Sequence, residues 1–94
     1  MTKIAQQIAA AHSNSTDAME AADARAIAKD QVWSMEMTKY TFEDNSVLAV
    51  RDLEHFGFDA DNAESIGAYK AWLGSDVDST EAAEIERLLE ALEA

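Results

Sequence analysis

The stretch KYTFEDNSVLAVRD, residues 39–52, decides the fold, because apolar and polar side chains alternate on both sides of its polar centre. Tyr40 and Phe42 fall on one face of the first half, and Leu48 and Val50 fall on one face of the second half. A repeat of two is the period of a β-strand, in which successive side chains point to opposite sides. The stretch therefore predicts two antiparallel strands with apolar side chains to bury.

A tight turn is expected between these strands, at EDNS (residues 43–46). Asn45 suits it because asparagine tolerates the left-handed backbone region that such turns need. The alternation continues outward into QVWSMEM (31–37) and HFGFD (55–59), with large apolar residues at Trp33, Met35, Met37, Phe56 and Phe58. We predict an antiparallel β-meander of three to four strands, with one apolar face that helices must cover.

Residues 2–29 are rich in alanine and are predicted to form one long N-terminal helix. Small and apolar side chains recur at roughly helical spacing, at Ile4, Ile8, Ala11, Met19, Ala22 and Ile27. The segment SNST (13–16) contains weak helix formers and is the expected weak point of this helix. Asp17 followed by Glu20 offers a new helix start directly after it.

Two further helices are predicted at the C-terminal end. Each begins with a capping box, in which an N-cap acid is followed three residues later by Glu: Asp61 with Glu64, and Asp78 with Glu81. The first should span residues 62–73 and stop at Gly74. The side chains expected to face the sheet are Ile66, Tyr69, Trp72 and Leu73 in the first helix, and Ile85, Leu88, Leu89 and Leu92 in the second. The predicted fold is a single α+β domain, residues 1–94, with one or two C-terminal helices packed on the sheet.

The charge is the unusual feature of the composition. Nineteen acidic residues against seven basic ones give a net charge of −12 on 94 residues. Such a surface repels nucleic acid and anionic membranes, so we expect neither as a direct partner. A basic protein is the natural complement. The chain has no cysteine, which removes disulfides, thiol catalysis and zinc–thiolate sites.

Catalytic and metal sites find little support, so no catalytic residue, metal or cofactor is predicted. His12 and His55 lie far apart, and no serine or acid has a spacing that predicts a catalytic partner for either. The stretch beginning at Asp76 resembles a calcium loop, but it places Glu81 where glycine is required and Arg87 where the bidentate glutamate should be. Helix capping explains these acids better.

The last helix leaves two interpretations open. If its apolar stripe is buried, Glu86, Glu90 and Glu93 run along one flank and Glu84 lies on the other. Like charges at this spacing destabilise a helix slightly, and glutamates near its C-terminal end oppose the helix dipole. The row is either an ordinary solvated face or a set of carboxylates that stand in for the phosphates of a double helix.

Several segments resemble one known family, the second-numbered family of type I-F anti-CRISPR proteins, which are acidic DNA mimics encoded by phages. The matching segments are IAQQ (4–7), AIAKDQVW (26–33), TKYTF (38–42), DNSVL (44–48), DAD (59–61) and EIERLLE (84–90). They span nearly the whole chain in order, whereas residues 49–58 match weakly.

The resemblance implies a non-enzymatic inhibitor of the type I-F surveillance complex (Cascade, also called the Csy complex), with the related type I-C complex as a second candidate target. It implies binding between the large subunit and the adjacent backbone subunit, on the Lys- and Arg-rich surfaces that hold duplex DNA beside the protospacer-adjacent motif. The contacts carried over from the family are Asp30, Asp76, Glu81, Glu84, Glu90 and Glu93. Ser75 replaces a family carboxylate, and Asp78 could substitute for it unless Asp78 serves as a cap.

Two other classes of function remain as alternatives to the inhibitor. The first is an acidic, DNA-mimicking module for another basic nucleic-acid-binding protein, and the second is an enzyme or metal-binding domain. For the inhibitor, we expect a monomer that acts in the cytoplasm of the host bacterium without a cofactor.

Overall fold

The computed structural model describes residues 2–93, which form an α+β fold built on a four-stranded antiparallel sheet. The strands follow the order of the chain, β1-β2-β3-β4, so the predicted meander is confirmed. The elements in chain order are α1 (Ile4–Ala11), α2 (Ser15–Arg25), β1 (Ala28–Val32), β2 (Met37–Thr41), β3 (Ser46–Arg51), β4 (Glu54–Asp59), α3 (Ala63–Leu73) and α4 (Ser79–Glu93). Short 3-10 turns, Trp33–Met35 and Gly74–Asp76, link β1 to β2 and α3 to α4.

Helices cover both faces of the sheet, so the prediction of one apolar face is wrong. On the first face, Tyr40, Phe42, Leu48 and Val50 pack against α1 and α2. On the second face, the core is formed with residues of α3 and α4 by Met37, Val47, Ala49 and Phe58. The prediction placed Phe58 on the same face as Tyr40 and Leu48, but Phe58 lies on the second face. The prediction also misses that the intervening positions of central strand β3 are apolar as well, which demands a second cover.

The N-terminal helix is short and broken, which corrects the prediction of one long helix. α1 ends at Ala11, and Asn14 begins α2 by accepting hydrogen bonds from the backbone N–H groups of Thr16 (2.7 Å) and Asp17 (3.3 Å). The break lies in the expected weak segment, but the cap is Asn14 and not Asp17. Asparagine is one of the strongest N-cap residues, and its position favours a new helix over continuation of the old one.

Strand β1 (Ala28–Val32) differs from two predictions, a helix that continued to residue 29 and a strand over residues 31–37. Residues 28–29 pair with β2 although the alanine-rich segment before them has high helix propensity, which tertiary pairing overrides. The predicted alternation across residues 31–37 is wrong, because β1 ends at Val32 and a 3-10 turn follows. In consequence Met35 and Met37 are buried, whereas Trp33 is exposed.

Polar contacts hold α1 against the β2–β3 turn. Asn45 adopts the left-handed conformation expected of it (φ 62°). The Asp44 carboxylate accepts from the Ile4 backbone N–H at 2.8 Å, and the Ser46 hydroxyl accepts from the Ala5 N–H at 3.0 Å. On β4, Gly57 permits the close approach of α1, because a Cβ atom there would lie 2.3 Å from the Ala5 carbonyl oxygen.

The C-terminal helices lie where the sequence predicts them, with three corrections. Asn62 caps α3 by accepting from the Ser65 N–H at 3.0 Å, while Asp61 instead binds Lys3 and Asn45. Asp78 caps α4 through the Glu81 N–H at 2.7 Å, but the Glu81 side chain does not complete a capping box. The third correction is that Leu92 is exposed. Gly74 ends α3 as predicted, with a positive φ (φ 77°, ψ −154°) that a residue with a side chain rarely adopts.

Neither a membrane span nor a metal cluster is found in the described part of the chain. No helix within residues 2–93 is long and apolar enough to cross a membrane. In the same range, no group of three or more His, Cys, Asp or Glu side chains is placed to hold a metal ion.

Candidate partner-binding surface

The six acids singled out from the sequence come from three elements. Asp30 lies on the edge strand β1, Asp76 lies in the turn between α3 and α4, and the other four lie on α4. A groove of about 390 Å³ runs between α4 and the β1–β2 edge of the sheet. Asp30, Glu81 and Glu84 all line this groove, so the fold brings Asp30 beside the first half of α4.

Glu81 is the member of the set that points inward. Its side chain is 4% exposed, and its carboxylate accepts hydrogen bonds from Lys39 Nζ at 2.9 and 3.1 Å. It also accepts from the Tyr69 hydroxyl at 2.6 Å. The sequence held a signal for this, because Glu81 precedes Ile85 by one i, i+4 step and therefore lies on the buried stripe of α4.

Tyr69 fixes Glu81 from the core side. The Tyr69 ring is fully buried and stacks on Phe58 with 4.2 Å between ring centroids. Burial, together with the hydrogen bond to Glu81, raises the pKa of Tyr69 far above its ordinary value, so the phenol stays protonated and donates. Glu81, Lys39 and Tyr69 thus form a buried polar cluster that joins α3, α4 and β2. The prediction that Glu81 contacts a partner stays a prediction, and its carboxylate is already engaged within the fold.

The remaining acids of the set face outward. Glu84 is half-buried and pairs with Arg87 one turn later on α4. Asp30, Asp76, Glu90 and Glu93 are exposed, and within residues 2–93 no salt bridge engages any of them. A surface ion pair such as Glu84–Arg87 is weak and screened, so it can open for a stronger basic partner.

Asp78 is already occupied by contacts within the fold. Besides capping α4, its carboxylate accepts a hydrogen bond from the Ser34 hydroxyl in the β1–β2 turn. These bonds, with Ser34 the larger cause, hold the pKa of Asp78 below its ordinary value. Both carboxylate oxygens of Asp78 are thus engaged within the fold, so the expectation that Asp78 could substitute at Ser75 gains no support.

Several basic residues are also engaged within the fold. Lys3 Nζ lies 2.8 Å from both Asp59 and Asp61, and these hydrogen bonds raise the pKa of Lys3 well above its ordinary value. The Arg51 guanidinium lies over the Trp72 ring at 5.1 Å from its centroid and donates to the Leu73 carbonyl. Lys29 pairs with Asp23, on the other side of β1 from the groove's floor. Local pairing of the few cations leaves the surplus of carboxylates uncompensated at the surface.

Sequence reasoning missed a contact between Ser15 and His55. The Ser15 hydroxyl lies 2.9 Å from His55 Nδ1, and His55 Nε2 lies 2.7 Å from the His12 carbonyl oxygen. Because a carbonyl only accepts, Nε2 donates to it, and in the neutral imidazole Nδ1 then accepts from Ser15. The pair ties the α1–α2 link to β4. No sequence spacing signals it, since the two residues meet only through the packing of α1 on the sheet.

Two matches to known proteins identify the family of this chain. Residues 4–94 match the family model described as "Anti-CRISPR protein AcrF2 protein". The chain is also 54% identical over 87 residues to "Anti-CRISPR protein 30" of Pseudomonas phage D3112, covering 92% of this chain and 97% of that relative. On both grounds, this chain belongs to the AcrF2 family of anti-CRISPR proteins.

Proposed function

We propose that this chain inhibits a type I-F CRISPR surveillance complex by mimicking duplex DNA, with no chemical step. One observation carries the proposal: Asp30 from β1 lines the same groove as Glu84 on α4, so acids distant in sequence form one outward-facing surface. Family membership supports an anti-CRISPR role, and the net charge of −12 supports a basic target. The inhibitor is expected to act as a monomer in the host cytoplasm.

The charge spacing along α4 suits a phosphate mimic. The helix has 15 residues and so extends about 22 Å at the 1.5 Å rise of an α-helix. It carries outward-facing glutamates at Glu84, Glu86, Glu90 and Glu93. Their axial separations, roughly 3 to 6 Å, bracket the approximately 3.4 Å axial rise between phosphates on one DNA strand. The helix therefore carries negative charge at an axial density of the same order as one DNA strand.

The proposed partner surface combines Asp30, Asp76, Glu84, Glu90 and Glu93 as direct contacts. Glu81 is included as a positioning residue, since its bonds to Lys39 and Tyr69 hold the N-terminal half of α4 on the sheet. The proposed target is the Lys- and Arg-rich DNA-binding surface between the large subunit and the neighbouring backbone subunit. A type I-C complex, which must also hold duplex DNA on basic residues, is a second target to test.

An order-of-addition experiment tests competition directly. Purified type I-F complex is mixed with this protein before or after a labelled target duplex, and duplex binding is followed by gel shift. Prior addition of the protein should block duplex capture, whereas a duplex already bound should resist displacement.

Two results would contradict this mechanism. Normal duplex binding with loss of nuclease recruitment would show inhibition at another step. No binding of the protein to the complex, with binding to an unrelated basic DNA-binding protein, would favour the alternative of an acidic module for a different target.

A further inference from the structure

Trp33 is exposed to solvent because the residues on either side of it are held in the core. Its side chain is 81% exposed in the turn between β1 and β2. Val32 before it packs against the core of the α3–α4 face, and Met35 after it is buried in that core. With both flanks fixed inward, the indole is held outward. Tryptophan is highly buried on average, so this exposure is a feature to be explained.

The turn that carries Trp33 has a defined shape. The Ser34 hydroxyl bonds to Asp78, and the Glu36 N–H donates to the Trp33 carbonyl at 3.2 Å. Glu36 adopts the left-handed conformation (φ 49°, ψ 44°), which is unfavourable for a residue with a long side chain. Within residues 2–93, the other non-glycine residues with positive φ are Asn45 and Asp52, types that tolerate it. Such outliers persist most often where function needs the shape.

The turn lies beside the proposed partner surface. Asp30 is on the strand that leads into Trp33, and the Ser34–Asp78 bond joins the turn to the segment that carries Asp76. The charged residues of this turn and of the linked segment, Glu36, Asp76 and Asp78, are all acidic. Lys39, the cross-strand neighbour of Asp30, is already engaged by Glu81. A partner group that binds beside Trp33 is therefore expected to carry positive charge.

We propose that Trp33 is a contact residue that receives an arginine or lysine side chain of the basic partner on its indole face. This inference rests on the proposed function. Tryptophan is the best side chain for cation–π contact, and arginine is its most frequent cation. The chain already uses this chemistry on its other tryptophan, since Arg51 lies over the ring of Trp72. Exposed aromatic anchors of this kind are enriched among the residues that dominate binding energy.

The test compares four variants of the full chain for affinity to purified type I-F complex at one salt concentration. Trp33→Phe keeps an aromatic face, Trp33→Leu keeps an apolar side chain without one, and Trp33→Ala removes both. Leu53→Ala is the matched control, because Leu53 is 89% exposed in the β3–β4 turn, next to the α1–α2 link. Thermal unfolding of each variant verifies that the fold is intact.

We expect Trp33→Leu and Trp33→Ala to lose about five- to thirtyfold in affinity, mainly through faster dissociation. Trp33→Phe should lose less, and Leu53→Ala should stay within about twofold of the wild type. Wild-type affinity of Trp33→Leu would overturn the proposal, because the aromatic face would then be dispensable. An equal loss in Leu53→Ala would overturn it as well.

Two further outcomes separate this inference from the proposed function. If wild-type protein neither binds the complex nor competes with duplex, the proposed function fails and this inference fails with it. If wild-type protein competes but Trp33→Ala retains full affinity while dissociating a dimer of the free protein, only this inference fails, and Trp33 belongs to an interface between two copies.

Discussion

Glu81 and Glu90 are the same residue type on the same helix, yet they lie in opposite environments. Glu81 is buried at the start of α4 and is held by Lys39 and Tyr69, whereas Glu90 is exposed near its end. The difference follows from helix geometry, since Glu81 shares the buried stripe of Ile85 and Glu90 does not. Acidic residues in this chain therefore lie in two kinds of environment, and a count of charges does not separate them.

The largest expected effect is the loss of folding stability in Glu81→Ala, compared with Glu90→Ala. Glu81→Ala leaves the Lys39 ammonium, 13% exposed, and the Tyr69 hydroxyl without their partner. Breaking a buried pair on one side costs about 3–5 kcal/mol of unfolding free energy. Glu90→Ala, the matched control at an exposed position, should change stability by less than about 0.5 kcal/mol. Urea unfolding of both variants measures the contrast, and equal stability of the two would contradict the inward role of Glu81.

A smaller effect is expected from pH, through Asp78. Its pKa is lowered in the folded protein, so the stability that it contributes is fully present above its ordinary value of 3.8. That contribution is lost as the pH falls through the folded-state value. The difference in unfolding free energy between wild type and Asp78→Ala should therefore be constant near neutral pH and shrink below pH 3.8. Taking the difference removes the relief of general charge repulsion that acid brings to both proteins.

If the difference in unfolding free energy stayed constant to the lowest pH, the hydrogen bonds from Ser34 and from the start of α4 would not lower the pKa of Asp78. That result would contradict the prediction. A Ser34→Ala variant then provides the control, since it removes the hydroxyl that is the larger cause of the lowered pKa.

The smallest expected effect is a change of stability at the exposed Glu90. Glu90→Lys relieves repulsion with Glu86 and places a cation near the C-terminal end of α4. Both changes favour the helix, by roughly a few tenths of a kcal/mol. Thermal unfolding should therefore show equal or slightly higher stability. A loss comparable to that of Glu81→Ala would mean that Glu90 also makes buried contacts.

The fold could be predicted from the sequence where local pattern and tertiary packing agree. The β2–β3 hairpin around Asn45, the stop at Gly74 and the cap at Asp78 each depend on local backbone chemistry, and the structure confirms them. Strand β1 could not be predicted, because its residues have no apolar alternation and the strand forms through pairing with β2. The cap of α3 could not be assigned from sequence either, because Asp61 and Asn62 are adjacent and both residue types are good N-caps.

The candidate surface could be predicted only in outline. Helical spacing alone indicates that Glu90 and Glu93 lie away from the buried stripe, and they are exposed in the structure. The inward side chain of Glu81 also follows from spacing, because Glu81 lies one i, i+4 step before the buried Ile85. The outward Trp33 could not be inferred, because the turn that interrupts the strand pattern depends on the burial of Met35 and on the distant Asp78.

The most direct test of the central claim compares two quadruple charge reversals that carry the same net charge. One changes Asp30, Glu84, Glu90 and Glu93 to Lys, and the other changes the exposed acids Glu20, Glu43, Glu54 and Glu64 to Lys. Inhibition of target-duplex binding by the type I-F complex is measured for both at one salt concentration, with circular dichroism to verify folding. The first variant should lose at least about 100-fold in potency, because close charge pairs at an interface contribute about 1.5–7 kcal/mol each. The second should lose no more than about fivefold, since screening weakens distant charges. Equal losses would show that bulk negative charge is sufficient and would contradict a surface defined by position.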